Sequence, residues 1–237
     1  MPALPPPYIS RKRLPFRELV GALLAHYGLQ GWWPLREHAG TNPTATGRFT
    51  GYHPGDYRYP HTASQRFEIA CGAILTQNTA WVNVERALEN LASVGLLEAR
   101  SLFSAQDPML ESAIRPSGYF RAKTRKLRLF AEFYLCLGDR VPTRDDLLMV
   151  WGIGPETADS IRLYAYAQLE MVVDAYTRRV LVREGYCEEP LDYDRVKRFC
   201  EAHVERTVPA YQEFHALMVE HGKRLARKPT SLSKNAR

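Results

Sequence analysis

The sequence predicts an all-α fold, and three observations carry that prediction. From Gln65 onward, apolar residues recur at the three-to-four spacing of helices. Alternating apolar and polar strand patterns are almost absent. Helix start and stop residues punctuate the stripes: Thr143 ahead of Asp145 and Asp146, Pro155 and Pro209 at first helical positions, Gly28 and Gly95 at ends.

In chain order, residues 1–15 are proline-rich and expected to be poorly ordered at the start. Phe16 to Leu29 sets Phe16, Leu19, Val20, Leu23 and Leu24 at helical spacing, with Gly28 as its stop. Residues 36–65 are rich in Gly, Pro, Thr and His and have no helical period; a loop of that length is functional or mobile. Trp81, Val84, Leu88 and Leu91 form the next stripe, which Gly95 ends. Leu127, Phe130, Phe133 and Tyr134 form another, with basic residues on the opposite face. Thr143 caps a helix whose first turn holds two aspartates, where the helix dipole favours them. Pro155 opens the following helix, Asp192 starts another, and Pro209 begins the last, which runs to about Gly222.

Length and composition limit what such a chain can be. The 237 residues suit one large or two small domains, and 45% hydrophobic with 24% charged residues describes an ordinary globular protein. The longest apolar run, Ile69 to Leu75, falls well short of the roughly 20 residues a membrane span needs. The start, Met1-Pro2-Ala3-Leu4-Pro5-Pro6-Pro7, lacks a charged segment followed by an apolar one, so a cytoplasmic protein is expected. Cys71, Cys136, Cys187 and Cys200 form no C-x-x-C pair and read as thiols in a reducing compartment, with no metal and no iron–sulfur cluster.

The net charge of +6 is unevenly distributed. The tail 223–237 holds Lys223, Arg224, Arg227, Lys228, Lys234 and Arg237 and no acid, so the rest of the chain is balanced. Within that balanced body, Arg115, Arg121, Lys123, Arg125, Lys126 and Arg128 form a second acid-free run, and Arg11, Lys12 and Arg13 a third. Single-sign segments of this kind fit a polyanion footprint; solvated helix faces and a solubilising tail fit the charge pattern equally.

The most informative stretch is Leu147-Leu148-Met149-Val150-Trp151-Gly152-Ile153-Gly154-Pro155-Glu156-Thr157-Ala158. Helix, Gly-Ile-Gly turn and second helix make a helix-hairpin-helix over about 143–166. Gly152 and Gly154 are free to take positive φ, and the turn amides of Gly152, Ile153 and Gly154, with the new helix start, can meet a phosphate oxygen. About 20 residues on, Val172-Val173-Asp174-Ala175-Tyr176 places an acid at the start of another helix. An ordinary N-cap would look the same.

Hairpin, spacing and Val-Val-Asp together resemble the helix-hairpin-helix DNA glycosylase superfamily of endonuclease III, in which a catalytic aspartate follows the hairpin. Leu75-Thr76-Gln77-Asn78-Thr79 and Arg115-Pro116-Ser117-Gly118 through Lys123 are similar to further family segments. With Trp32-Trp33-Pro34 and His221-Gly222-Lys223, they look most like the 3-methyladenine DNA glycosylase III branch. The resemblance implies two helical lobes, a central one of about 66–168 and one made of 1–65 plus 169–237, with the hairpin and Asp174 at the cleft. It also implies a monomer acting on double-stranded DNA that contains a damaged base.

By the same resemblance, Asp174 is the catalytic carboxylate, stabilising an oxocarbenium-like sugar and orienting or deprotonating water. Gln77 fills the gap left by the flipped base. Gly152, Ile153, Gly154, Glu156 and Thr157 of the hairpin lie on DNA, and Arg121 and Lys123 add basic contacts. Trp32, Trp33, Pro34, Trp81 and Lys223 line the base pocket, where indole faces attract a cationic alkylpurine. Trp81 fits plain core as well, Trp32-Trp33-Pro34 also fits a helix staple, and Lys223 fits the basic tail. The remaining histidines, His53 and His61 included, read as surface residues without metal spacing.

Two departures narrow the chemistry. Glu156 stands where bifunctional members of the family carry a Schiff-base lysine, so a monofunctional glycosylase is expected. The C-terminal four-cysteine cluster of endonuclease III is missing. The leading reading is a glycosylase for alkylated purines of the 3-methyladenine type. An endonuclease III-like enzyme for oxidised pyrimidines or uracil and thymine mispairs is the alternative, and a non-catalytic DNA-binding module is the third.

Overall fold

The computed structural model describes residues 14–44, 50–188 and 192–226, so the Arg11–Arg13 cluster and most of the basic tail lie outside it. Its described helices are α1 (Phe16–Tyr27), α2 (Ala63–Leu75), α3 (Trp81–Ser93), α4 (Ala99–Ser104), α5 (Asp107–Ile114), α6 (Phe120–Leu137), α7 (Arg144–Leu148), α8 (Pro155–Ser160), α9 (Ala175–Arg183), α10 (Tyr193–His203) and α11 (Val208–Ala226). A 3₁₀ turn, Arg115–Ser117, precedes α6, and α8 runs on as a π turn over Ile161–Ala165. Among the described residues the only β pairing is a single antiparallel bridge, Thr41 to Thr50. No described helix is long and apolar enough to cross a membrane.

Helix ends follow local chemistry. Thr62 and Gln65 form a capping box that starts α2, and Thr143 and Asp146 form one that starts α7. Asp192 caps α10 by accepting the Arg195 N–H at 2.8 Å, and Pro155 is the first residue of α8. The α2 sequence is apolar all round, so its residues from Phe67 to Leu75 are buried and α3, α6, α8 and the π turn pack around it. In a second group, α1 and α9 each pack on α11, which also meets the π turn.

The last helix corrects one expectation. Gly222 does not end it: α11 continues to Ala226, and Gly222 lies where it meets α9, with the Tyr176 side chain 2.8 Å from where a Cβ would stand. The glycine is there for close approach.

One carboxylate ties α8 to α7 and α10. Asp159, in α8 and fully buried, accepts from Arg144 Nε of α7 at 2.8 Å and, through its other oxygen, from Lys197 Nζ and the Tyr193 hydroxyl of α10, each at 2.9 Å. Lys197 also pairs with Glu170, which accepts from Arg162 at 2.9 Å. Removing one member of such a network strands the others. Asp159→Ala is therefore expected to destabilise the protein by about 3–5 kcal/mol in urea unfolding. A change under about 1 kcal/mol would show that the network is not what holds the hairpin to α10.

Candidate active site

Asp174 sits at the start of α9. Its Oδ1 accepts the Thr177 N–H at 2.7 Å, capping the helix, and its Oδ2 is 4.0 Å from His215 Nε2 on α11. The side chain is 14% exposed, so one oxygen remains reachable beside a buried imidazole. His215 Nδ1 shares a hydrogen bond of 2.8 Å with the Tyr164 hydroxyl, which also lies 3.2 Å from Gln212 O. Burial pushes the His215 imidazole below its usual range; Asp174 pulls it back up and Lys223 pushes it down again.

The indoles gather on the other side of that histidine. The Trp32 ring meets His215 edge-on at 5.6 Å and lies 6.4 Å from Trp81, 29° from parallel. Trp33 is buried and meets Trp81 edge-on at 5.0 Å. Lys223 Nζ stands over the Trp32 ring at 5.6 Å, and Pro34 is buried next in line. Trp32, Trp81, Lys223 and Asp174 are thus linked through contacts among three helices and one loop.

That loop runs on from Trp32 into the 36–65 segment, whose described parts form an ordered strap as far as Thr62, residues 63–65 being helical in α2. Leu35 N donates to Gly51 O at 3.0 Å, Gly51 N to Gly40 O at 2.7 Å, and His53 N to Gly31 O at 3.1 Å. His53 is 5% exposed, correcting its reading as a surface residue; its ring nitrogens face Trp33 O at 2.9 Å and Asp56 O at 2.7 Å. Glu213 of α11 accepts from Gln30 N at 2.8 Å and from the Tyr57 hydroxyl at 3.2 Å, holding the turn before Trp32. His215 is a second buried histidine, whereas His61 is exposed as expected.

At the hairpin, Gly152 takes φ +85°, but Gly154 is extended at φ −95° and serves as the N-cap of α8. Only the first glycine uses the left-handed region; a Cβ there would also stand 2.6 Å from the Lys126 side chain. Ile153 is buried, and its N–H is taken by Val150 O at 3.1 Å, so its amide does not face out as expected. No backbone carbonyl takes the Gly152 and Gly154 amides among the described residues, and α8 has no side-chain cap.

Gln77 reaches this turn from α2. Its Nε2 donates to Gly152 O at 3.1 Å and to the buried Thr157 hydroxyl at 2.9 Å, while Lys126 donates to its Oε1. The amide that was expected to enter the base stack braces the hairpin here. Lys123 is a plain correction. It is 2% exposed and donates to Leu75 O and Ser117 O, both at 2.7 Å, so it closes the end of α2 and cannot reach DNA. Burial and the neighbouring Lys126 push its amine down to about 8. Arg128 is also engaged, at the surface, by Asp107 and two carbonyls. Arg121 and Arg125 stay exposed, Arg125 4.1 Å above Trp151. Met149, 86% exposed, and Trp151 on the hairpin went unread, since exposure is decided by packing and not by residue type.

Among the described residues no three His, Cys, Asp or Glu side chains converge as a metal site would require. Cys71 is buried in α2, Cys136 is exposed on α6, Cys187 follows α9 and Cys200 is buried in α10.

Comparison with known proteins follows this geometry. Residues 71–206 match the HhH-GPD superfamily of base excision DNA repair proteins. A Methanocaldococcus jannaschii protein named provisionally as a DNA repair glycosylase is 36% identical over 87% of this chain and 86% of its own length. Thermotoga maritima endonuclease III is 26% identical over 72% of this chain and 80% of its own. The structure of H. pylori 3-methyladenine DNA glycosylase bound to 1,N6-ethenoadenine superposes with a TM-score of 0.67 at 28% identity, covering 88% of this chain and 97% of that one.

Glu156 supplies a test of this arrangement. Partial burial and the nearby Asp174 carboxylate push it up to about 7, while Arg178, 4.0 Å away, pulls it down. A carboxyl raised above its unfolded value of about 4.3 favours the folded state fully below that value and loses the benefit as pH rises through the folded one. Glu156→Gln should match the wild type in urea midpoint near pH 4 and exceed it near pH 8 (both roughly placed). Equal midpoints at both pH values would separate Glu156 from Asp174.

Proposed function

We propose that this chain, which belongs to the HhH-GPD superfamily of base excision DNA repair proteins, is a monofunctional DNA glycosylase that hydrolyses the N-glycosidic bond of an alkylated purine in double-stranded DNA. The observation that carries this reading is the Asp174 carboxylate, capping α9 with one oxygen and turning the other toward His215, whose ring is packed on Trp32. A reactive carboxylate and an aromatic base platform then stand on two sides of one imidazole. Likeness to a 3-methyladenine glycosylase structure supports the substrate class.

The lesion leaves the duplex before attack. The Gly152 and Gly154 amides and the exposed Arg121 and Arg125 are set to hold the phosphate backbone. Trp32 and Trp81 offer faces to the extruded base, with Trp33 and Pro34 behind them and Lys223 above. Water adds to C1′ as the C1′–N bond breaks. The bonding electrons go to the base, neutralising the alkylpurine cation, and the water proton passes to Asp174. Negative charge on Asp174 stabilises the sugar cation as it develops. Because the base leaves as a neutral molecule, no strong general acid is required.

Glu156 supports hydrolysis without strand cleavage, since a carboxylate forms no Schiff base. The neighbouring Lys126 donates to Gln77, and Lys123 is buried on two carbonyls. The likeness to T. maritima endonuclease III supports, as a second reading, release of an oxidised pyrimidine.

Asp174→Asn keeps an oxygen that can cap α9. It should lower base release from methylated duplex DNA by about a hundred- to a thousandfold while leaving DNA binding intact. If binding collapses with turnover, Asp174 is a structural cap and nothing more. In the same assay the wild type should give strand breaks only after alkali. Direct nicking, or release of thymine glycol in place of methyladenine, would move the protein to the second reading.

A further inference from the structure

Eight buried polar side-chain atoms have no hydrogen-bond partner among the described residues; four are on Trp33, Thr124, Thr177 and Gln212, and the other four fall together. Trp81 Nε1, both carboxylate oxygens of Glu85 and Arg36 Nε belong to residues lining one cavity of about 340 Å³, bounded also by Pro34, Leu35 and Glu68. Arg36 Nε at least faces an anion, Glu89, at 3.3 Å. Glu85 has no such partner. It lies one helical turn beyond Trp81 on α3, so its carboxylate stands beside the indole N–H without reaching hydrogen-bonding geometry. The same Trp81 ring faces Trp32, over which Lys223 stands, so the cavity adjoins the indole pair through Trp81.

A carboxylate cut off from water and left without a well-formed hydrogen bond is costly, and a folded protein keeps such a group where something else satisfies it. A neutral pyrimidine offers carbonyl oxygens on either side of one N–H, which a carboxylate repels. An alkylated aminopurine offers an amino group and a positive charge, which a carboxylate beside aromatic faces attracts. We propose that Glu85 is a specificity-determining residue of the base pocket, its carboxylate receiving the amino edge of a positively charged aminopurine held against Trp32 and Trp81. The proposal rests on the glycosylase reading above and names the group that chooses the base.

The electrostatics fit a carboxylate waiting for a cation. Burial pushes Glu85 up to about 7, and the Trp81 N–H and Lys223 charge hold it down only in part. The other groups around it are Arg86 and Glu89 on α3, Glu68 on α2, and Arg36 and Tyr52 on the strap. Burial pushes both Glu68 and Tyr52 up, which leaves Tyr52 neutral. A cation entering this cavity favours ionised Glu85, so its affinity should rise as pH rises through 7.

Tryptophan fluorescence of the full-length protein, titrated with free bases, tests this without DNA or bond cleavage. The probes are 3,9-dimethyladenine, a permanent cation, and 9-methyladenine, its neutral counterpart with the same amino group. The wild type should bind the cation about tenfold more tightly near pH 8, with the preference shrinking toward pH 6. Glu85→Gln should abolish both the preference and its pH slope. Glu85→Leu, which removes the buried acid, should do the same with an unchanged or raised Tm. Equal wild-type affinity for the two bases overturns the proposal, even if neither variant folds, and so does a preference that survives either substitution. A protein that shows the Glu85-dependent preference yet releases no base from methylated DNA keeps the cation site and loses the glycosylase reading. Release of methyladenine without any such preference loses Glu85 alone.

Discussion

The placement of the hairpin relative to its neighbours depends on one buried carboxylate, Asp159. It accepts from helices on either side of the hairpin, Arg144 of α7 and Lys197 and Tyr193 of α10, and Lys197 passes the connection to Glu170 and Arg162. The segment between the π turn and Asp174 is therefore held at Glu170, four residues before the cap. Hairpin and Asp174 come from different stretches of chain, and without that pin their separation would follow the flexibility of an irregular connection. The same ion pairs in a polar surround would contribute little. Around a fully buried oxygen, they fix a single arrangement, because every alternative strands a charge.

A similar economy positions the indoles. Trp32 and Trp33 lie in no helix, so side-chain packing alone would leave their backbone free to shift. Glu213 takes the N–H of Gln30, His53 meets Trp33 O, and Gly31, Gly40 and Gly51 join the two arms of the strap through backbone bonds. The strap leaves α1 and returns to start α2, its described arms joined by those bonds. Its polar anchors face inward at the level of the tryptophans, so the loop serves as the pocket's back wall.

Much of this was legible in the sequence, and the boundary is physical. Helix starts at Thr143, Pro155 and Asp192 are local events, settled by a side chain and the next three amides, and they stand where the residues put them. Gly152 and the Asp174 cap are local in the same sense. What sequence could not give is which polar residue is buried. Lys123 sits in an acid-free run and looked like a phosphate contact, yet its ammonium faces the carbonyl end of α2, a partner 48 residues away. His53, His215 and Glu85 are likewise defined by partners on other elements. Gly222 looked like a helix stop because the residue it must clear, Tyr176, belongs to another helix. The one local signal that was passed over is Thr62-x-x-Gln65, a capping box that starts α2 two residues before the apolar period becomes visible.

The distribution of unsatisfied polar atoms then separates support from function. Asp159, Glu213 and Lys123 are buried and fully occupied; they hold backbone and helices, and nothing remains on them for a ligand. Glu85 and Glu156 are different. Each has a carboxyl raised to about 7, one beside the indoles and one beside Asp174, and neither has a close hydrogen bond that uses its charge. Of the two, only Glu85 has both oxygens buried, and there a neutral residue of similar size would cost folding less. On the function proposed above, a reaction that starts with a cationic base and passes through a cationic sugar gives a reason to keep an acid there. Both acids become more favourable in their charged forms when positive charge arrives, so the stabilisation they offer is small in the empty protein and largest while the bond is breaking.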